Sequence, residues 1–182
     1  MEVGPKLLEL LHEAIPTATT VAALVNPTNP NADTLSRSLQ EAARTLGLQL
    51  HVLNVSTERE IDTAFDTLVQ LRAGGLVIAS DVFIITRQEQ LAALVLRNRL
   101  PAIFQSRAFA EAGGLMSYAG RAADAYRQAG VYTGRVLNGE KPADLPVQQT
   151  TRVELIVNLK TAKTLGLSVP LSLLGRADEV IE

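Results

Sequence analysis

Apolar residues along this chain alternate between two spacings. Leu7, Leu8, Leu11 and Ile15 recur at helical intervals and stop at Pro16, which predicts a helix over 5–14. The run TVAALVN (20–26) is short, continuous and apolar, as a strand covered on both faces would be. It ends in the turn-forming loop Asn26-Pro27-Thr28-Asn29-Pro30. Helical spacing returns over 31–46 with Leu35, Leu39, Ala42, Ala43 and Leu46, and Gly47 supplies a stop. LQLHVLNV (48–55) reads as a strand. Ser56-Thr57-Glu58 then opens a helix over 58–72 with Ile61, Phe65, Leu68 and Val69 inward.

The alternation continues with a strand over 75–80, the loop Asp81-Val82-Phe83, and a helix through Leu91, Leu94, Val95 and Leu100. A strand over 101–104, the loop Gln105-Ser106-Arg107, a short helix at 108–112 and a strand over 114–119 follow. Beyond them the pattern predicts a long helix over 122–137, a Gly/Pro turn at 138–142, a strand over 150–158, a short helix over 159–167 and an irregular tail. Strand and helix therefore alternate about four times, with strands too apolar to face water on either side. This predicts an α/β fold: a three-layer, doubly wound, Rossmann-like lobe on a mainly parallel sheet.

Composition narrows the function classes. The chain has 182 residues, enough for one domain with its own core. Seventeen Lys and Arg against nineteen Asp and Glu give a net charge of −2, which argues against a nucleic-acid groove or a polybasic membrane anchor. With no cysteine, disulfides, thiolate metal sites and cysteine nucleophiles are excluded, and two histidines are too few for an ordinary His-based metal site. No basic-then-apolar leader opens the chain, and no apolar run approaches a membrane span, so it is either cytoplasmic or lacks its natural beginning.

Catalytic motifs fail one by one. No G-x-G-x-x-G follows the first strand, and no G-x-S-x-G elbow is present. Gly134 to Lys141 imitates a phosphate loop, but Glu140 stands where lysine is needed and the stretch follows a helix. His12 and His51 read as surface or packing residues. No catalytic residue, metal ligand or cofactor is expected.

In an open parallel sheet the ligand site lies at the carboxyl ends of the strands. The residues there are Asn26, Thr28, Asn29, Asp81, Ser106, Arg107, Ser117 and Tyr118, which could converge on one small polar ligand. Each taken alone also fits a turn or cap role. Asp81 has two readings: it holds a ligand ammonium, or it caps a helix beginning near Ile84.

Six segments resemble one family, the periplasmic substrate-binding proteins of ABC transporters with type I binding-protein folds. They are LLELLHEAIPTATTVAALVNPTNPNA, LGLQLHVLNVSTEREIDTAF, GGLVIASDVF, LPAIFQSRAFAEAGGLMSYAG, DAYRQAGVYTGRVLNGEKPADLPV and ELIVNLKTAKTLGLSVPLSLLGRADEVIE. The resemblance implies two lobes with a ligand cleft between them. On it, 5–118 form the second lobe, 119–149 return toward the first, and 150–182 supply a hinge strand, short helix and tail. The family's leader and opening lobe do not appear, so an incomplete second lobe is expected.

Carried over residue by residue, the resemblance implies ligand contacts from Asn26, Thr28, Asn29, Asp81 and Phe83, with Ser117 and Tyr118 at the crossover. Proline is common in the family where Val82 stands, so the shape of that loop departs from the pattern. The implied function is solute capture without chemistry for an ABC importer in the periplasm, with an ABC permease as partner. A carboxylate beside aromatic residues is compatible with a hydrophobic or aromatic amino acid. The alternative is a ligand-sensing effector or receptor domain of the same fold. The apolar side of the 122–137 helix, with Tyr126, Tyr132 and Val136, is expected to drive homodimerisation where nothing covers it.

Overall fold

A single seven-stranded sheet organises the computed structural model, which describes residues 3–148 and 153–182. Its strands are β1 (Thr20–Val25), β2 (Gln49–Asn54), β3 (Gly75–Ile78), β4 (Ala102–Phe104), β5 (Met116–Gly120), β6 (Val153–Asn158) and β7 (Glu179–Ile181). They lie in the order β2-β1-β3-β4-β5-β6-β7. The first five are mutually parallel, β6 runs antiparallel to β5, and β7 is parallel to β6.

The helices are α1 (Val3–Ala14), α2 (Ala32–Thr45), α3 (Glu58–Gln70), α4 (Val82–Ile85), α5 (Gln88–Arg97), α6 (Arg107–Glu111), α7 (Ala122–Leu137), α8 (Leu159–Leu165) and α9 (Leu171–Leu174). Two cores result, one on each face of the sheet. Val21, Ala23 and Val25 join α1, α2, α8 and α9 in the first; Ala22 and Leu24 join α3, α5 and α6 in the second. This strict alternation is the two-residue period of a strand buried on both faces, and it accounts for the unbroken apolar runs of β1, β3 and β4. Leu7, Leu8 and Leu11 of α1 are buried against the first core, and each contributes about 1.5–3 kcal/mol by leaving water. The doubly wound, three-layer architecture expected from the pattern is present.

Two expectations need correction. The helix expected after Asp81 is two helices. Asp81 caps the single turn of α4, and the chain breaks at Arg87, whose φ of −118° and ψ of 17° are not helical, before α5 begins. Leu100 is buried in the turn beyond α5, not on it. The tail expected to be irregular contains α9 and β7. β7 is held by ladder pairing to β6 and by Asp178, whose carboxylate accepts from the Leu155 N–H at 2.9 Å. The strand expected over 150–158 is observed from Val153; positions 150–152, and Gln149 of the expected 119–149 segment, lie outside the described residues.

Two buried polar side chains of the second half, Asn158 and Thr161, are satisfied. Asn158 caps α8 by accepting from the Thr161 N–H at 2.9 Å, and donates to the Ala110 carbonyl at 2.8 Å. Thr161 donates its hydroxyl to the Gly113 carbonyl at 3.0 Å. These bonds tie β6 and α8 to α6, so the last strands belong to the same packed unit as the parallel sheet. α7 differs. It joins neither core, and none of its described side chains is buried.

Candidate functional site

The chain adds β2 on one side of β1 and β3 on the other, with α2 on one face and α3 on the opposite one. Such a reversal opens a crevice at the carboxyl ends of β1 and β3. Asn26 leaves β1 there and is 6% exposed. Its Oδ1 accepts from the Thr28 N–H at 3.0 Å and the Thr28 hydroxyl at 2.8 Å. Asn29 repeats the motif, its Oδ1 accepting from the Asn31 N–H at 2.9 Å. The Asn/Pro-rich loop is thus two successive side-chain-closed turns, the conformation that asparagine favours.

The other edge of each amide turns toward β3. Asn26 Nδ2 donates to Asp81 Oδ1 at 2.7 Å, and Asn29 Nδ2 donates to Asp81 Oδ2 at 3.0 Å. Asp81 Oδ1 also accepts from the Phe83 N–H at 2.9 Å, capping α4. Burial pushes the Asp81 carboxyl up, but the bonds from Asn26, Asn29 and the Phe83 and Ile84 backbone outweigh it, so its pKa lies below the usual aspartate value. Every one of these donors is neutral. The crevice therefore holds an ionised carboxylate whose charge no cation offsets among the described residues. The adjoining cavity, about 80 Å³ between Asn26, Asn29, Ser80 and Asp81, is well below the ~300–1,000 Å³ of a small-molecule site. It has room for a small charged group, not for a whole solute.

A separate, larger cleft of about 520 Å³ opens over β4, β5 and β6. Ser117 and Ala119 of β5 form its floor with Ile156 and Glu154, their register partners on β6. Gln105, Ser106 and Arg107 form one wall, Arg121 and Ala123 another, and Ile85 of α4 also lines it. Ser106 donates its hydroxyl to Gln88 Oε1. Arg107 makes a bidentate pair with Glu179, both contacts at 2.7 Å, and a third bond to Glu111 at 2.7 Å. These bonds raise its pKa above the ordinary arginine value. Arg121 pairs with Glu154 at 3.0 Å.

The structure thus divides the residues expected to share one site. Asn26, Asn29 and Asp81 meet in the crevice, and Thr28 lies exposed on its rim. Ser106, Arg107 and Ser117 line the larger cleft. Phe83 is half-buried against the α3/α5 core, with the Arg87 guanidinium 4.1 Å above its ring. Tyr118 packs on the first core, on the face of β5 opposite Ser117, as the strand period requires of neighbours. Of Asp81's two readings, the cap is realised in the geometry. Ile85, Arg121, Glu154 and Ile156 were not expected; α4's single turn and the antiparallel β5–β6 register bring them in, and neither leaves a local sequence signal. Among the described residues no cluster of three or more His, Asp or Glu is placed to hold a metal, and no helix is long and apolar enough to cross a membrane.

Comparison with known proteins places this geometry. The sequence profile of a family described as ABC transporter substrate binding protein matches residues 2–181. A tyrosine-binding protein of Clostridioides difficile is 24% identical over 162 residues, covering 89% of this chain and 47% of that protein. A solved ABC domain from Streptococcus pneumoniae, in complex with L-Trp, superposes with a TM-score of 0.86 at 25% identity, covering 98% of this chain and 62% of the other. A conserved domain protein of Vibrio cholerae gives a TM-score of 0.86 at 21% identity, covering 97% and 60%; at that identity the likeness is one of fold. The chain spans about half the length of the curated relative and about three fifths of the solved ones.

Proposed function

The chain belongs to the ABC transporter substrate-binding proteins, with the type I periplasmic-binding fold, and from that premise we propose that it captures an amino-acid-like solute for import. The capture involves no chemistry. The Asp81 crevice receives the solute's ammonium, and the larger cleft takes its body. An ABC permease is the partner, and the site of action lies outside the cytoplasmic membrane, in the periplasm. Residues 5–118 supply one wall of the binding cleft, and the 119–149 segment, with its unburied α7, leads to the opposite lobe of the whole protein.

One observation carries this reading: Asp81 is ionised, fixed by three neutral partners, and aimed at a crevice where a fold of this topology places its ligand. A primary ammonium is the group that such an uncompensated carboxylate attracts. The amino-acid ligands named for the Clostridioides and Streptococcus relatives support the same class of solute.

Thermal-shift titration with free amino acids and their N-acetyl derivatives tests the proposal. Stabilisation by the free amino acid alone, lost on Asp81→Asn, is expected, since a ligand that binds only the folded state raises its stability. Equal stabilisation by the N-acetyl compounds would overturn the ammonium assignment.

A further inference from the structure

α4 is a single turn, and a turn that short does not hold its shape by its own hydrogen bonds. Its outer side is open to water: Val82 is 78% exposed and Ile85 40%. It is seated from beneath, where Ile84 is fully buried, and from its two ends. Asp81 holds the first end by accepting from the Phe83 N–H. Arg87 holds the last. Its Nη1 donates to the Phe83 carbonyl at 3.3 Å and to the Thr86 hydroxyl at 2.7 Å, and its guanidinium lies 4.1 Å above the Phe83 ring. A cation at the closing carbonyls of a helix and over an aromatic face is favourably placed. Arg87 Nη2 then donates to Glu58 Oε1, at the start of α3, over 3.1 Å.

Phe83 is therefore gripped on both sides. Its N–H is bonded to Asp81, and its carbonyl and ring meet Arg87. Arg87 itself lines neither the Asp81 cavity nor the larger cleft. Its Nε is buried without a partner, which is unfavourable, so the side chain keeps this place against a cost. What it touches in return is α4 and, through Glu58, a helix packed in the second core.

Resting on the proposed capture of an ammonium at Asp81, we infer that Arg87 is a positioning residue for that capture. It holds Phe83, Phe83 holds the Asp81 carboxylate, and the solute's affinity depends on a side chain that the solute does not meet. Through Glu58 the direction of the carboxylate is referred to α3 rather than to its own loop.

Calorimetric titration with L-tyrosine and amide NMR, on the wild-type chain, Arg87→Met, Arg87→Lys and Asp81→Asn, test the inference. In the wild type the Phe83 amide resonance is expected to move as Asp81 is titrated, because the two are bonded. Arg87→Met should shrink that movement and weaken tyrosine binding about tenfold, the scale of one misplaced charge-assisted hydrogen bond. Lysine keeps the charge without the planar fork that spans Phe83, Thr86 and Glu58, so Arg87→Lys should recover neither in full. In the Asp81→Asn background, Arg87→Met should weaken tyrosine no further. A lower melting temperature with the Phe83 response and the affinity unchanged would make Arg87 structural only and overturn the inference. Full recovery by lysine, or an undiminished loss in the Asp81→Asn background, would overturn it too. Each of those results leaves the ammonium site standing. A wild type that does not bind tyrosine overturns the ammonium reading instead, while the Phe83 response, read without ligand, still decides whether Arg87 holds the carboxylate.

Discussion

Asn26, at the end of β1, donates its amide to Asp81, beyond the end of β3, over 2.7 Å. The bond closes the crevice where the chain reverses its direction of travel across the sheet. Asp81 in turn caps α4, so one carboxylate fixes both the Asn26 loop and the helix that carries Ile85 to the larger cleft.

Asp81→Ala orphans the Asn26 and Asn29 amides and uncaps α4. A loss of about 1–3 kcal/mol is expected from those two effects, measured by urea unfolding. The pH dependence has a definite sign. Asp81 has a lower pKa folded than unfolded, so its contribution is fully present above the ordinary aspartate range, near pH 4, and is lost as pH falls through the folded value. The stability gap between wild type and Asp81→Ala should narrow only below about pH 4. A gap that instead closes between neutral and mildly acidic pH would mean that some other group governs this loop.

Asn158 is expected to be the costliest polar substitution in the second half. Asn158→Ala leaves the Ala110 carbonyl and the Thr161 N–H without their partners in a buried place. Together with the lost cap this should cost about 2–4 kcal/mol. Asn158→Ser keeps a capping acceptor for the Thr161 N–H and is too short to reach the Ala110 carbonyl, so it separates the two contributions. Equal costs for both variants would show that the Ala110 bond carries the effect and that the cap adds nothing.

Much of this architecture is legible in the sequence because both faces of the central strands are covered. VAALV, GLVI and AIF are apolar throughout, as strands covered on both faces are. β7 was not legible. Three residues, all half-buried at the sheet's edge, carry no period, and they are placed by pairing with β6. The break at Arg87 was hidden for a related reason: the apolar spacing runs on through it, and a tertiary contact of its guanidinium with Glu58, at 3.1 Å, accompanies the kink. At the candidate site, several of the residues named at the strand ends line two separate cavities. Their division into two clefts follows from the strand period, by which Ser117 and Tyr118 face opposite ways, and from the β6 partner, which lies far along the chain.

Gly114 leads into β5 under the ring of Phe109, and a methyl group there would overlap that ring. Phe109 cannot simply yield, since it is fully buried and meets Phe104 edge to face at 5.7 Å between ring centres. Gly114→Ala is therefore expected to cost about 1–3 kcal/mol by overpacking. Combined with Phe109→Leu, the two losses should add to less than their sum, because the smaller side chain makes room. Strict additivity in a double-mutant cycle would place the strain elsewhere.

α7 gives the last prediction. Tyr126 is 79% exposed and Leu137 82%, with Val131 and Val136 also exposed, on a helix that buries none of its described side chains. Apolar groups so placed are covered when a partner is at hand, because each buried methylene returns about 0.8 kcal/mol. The 182-residue chain studied alone is therefore expected to self-associate through α7. Sedimentation velocity should show a weight-average mass that rises with concentration. Tyr126→Ser combined with Leu137→Ser should abolish the rise without lowering the melting temperature, since neither residue joins a core. A mass that stays monomeric at every concentration would mean that these side chains are too scattered to form one adhesive patch. A rise that survives the double variant would move the contact away from α7.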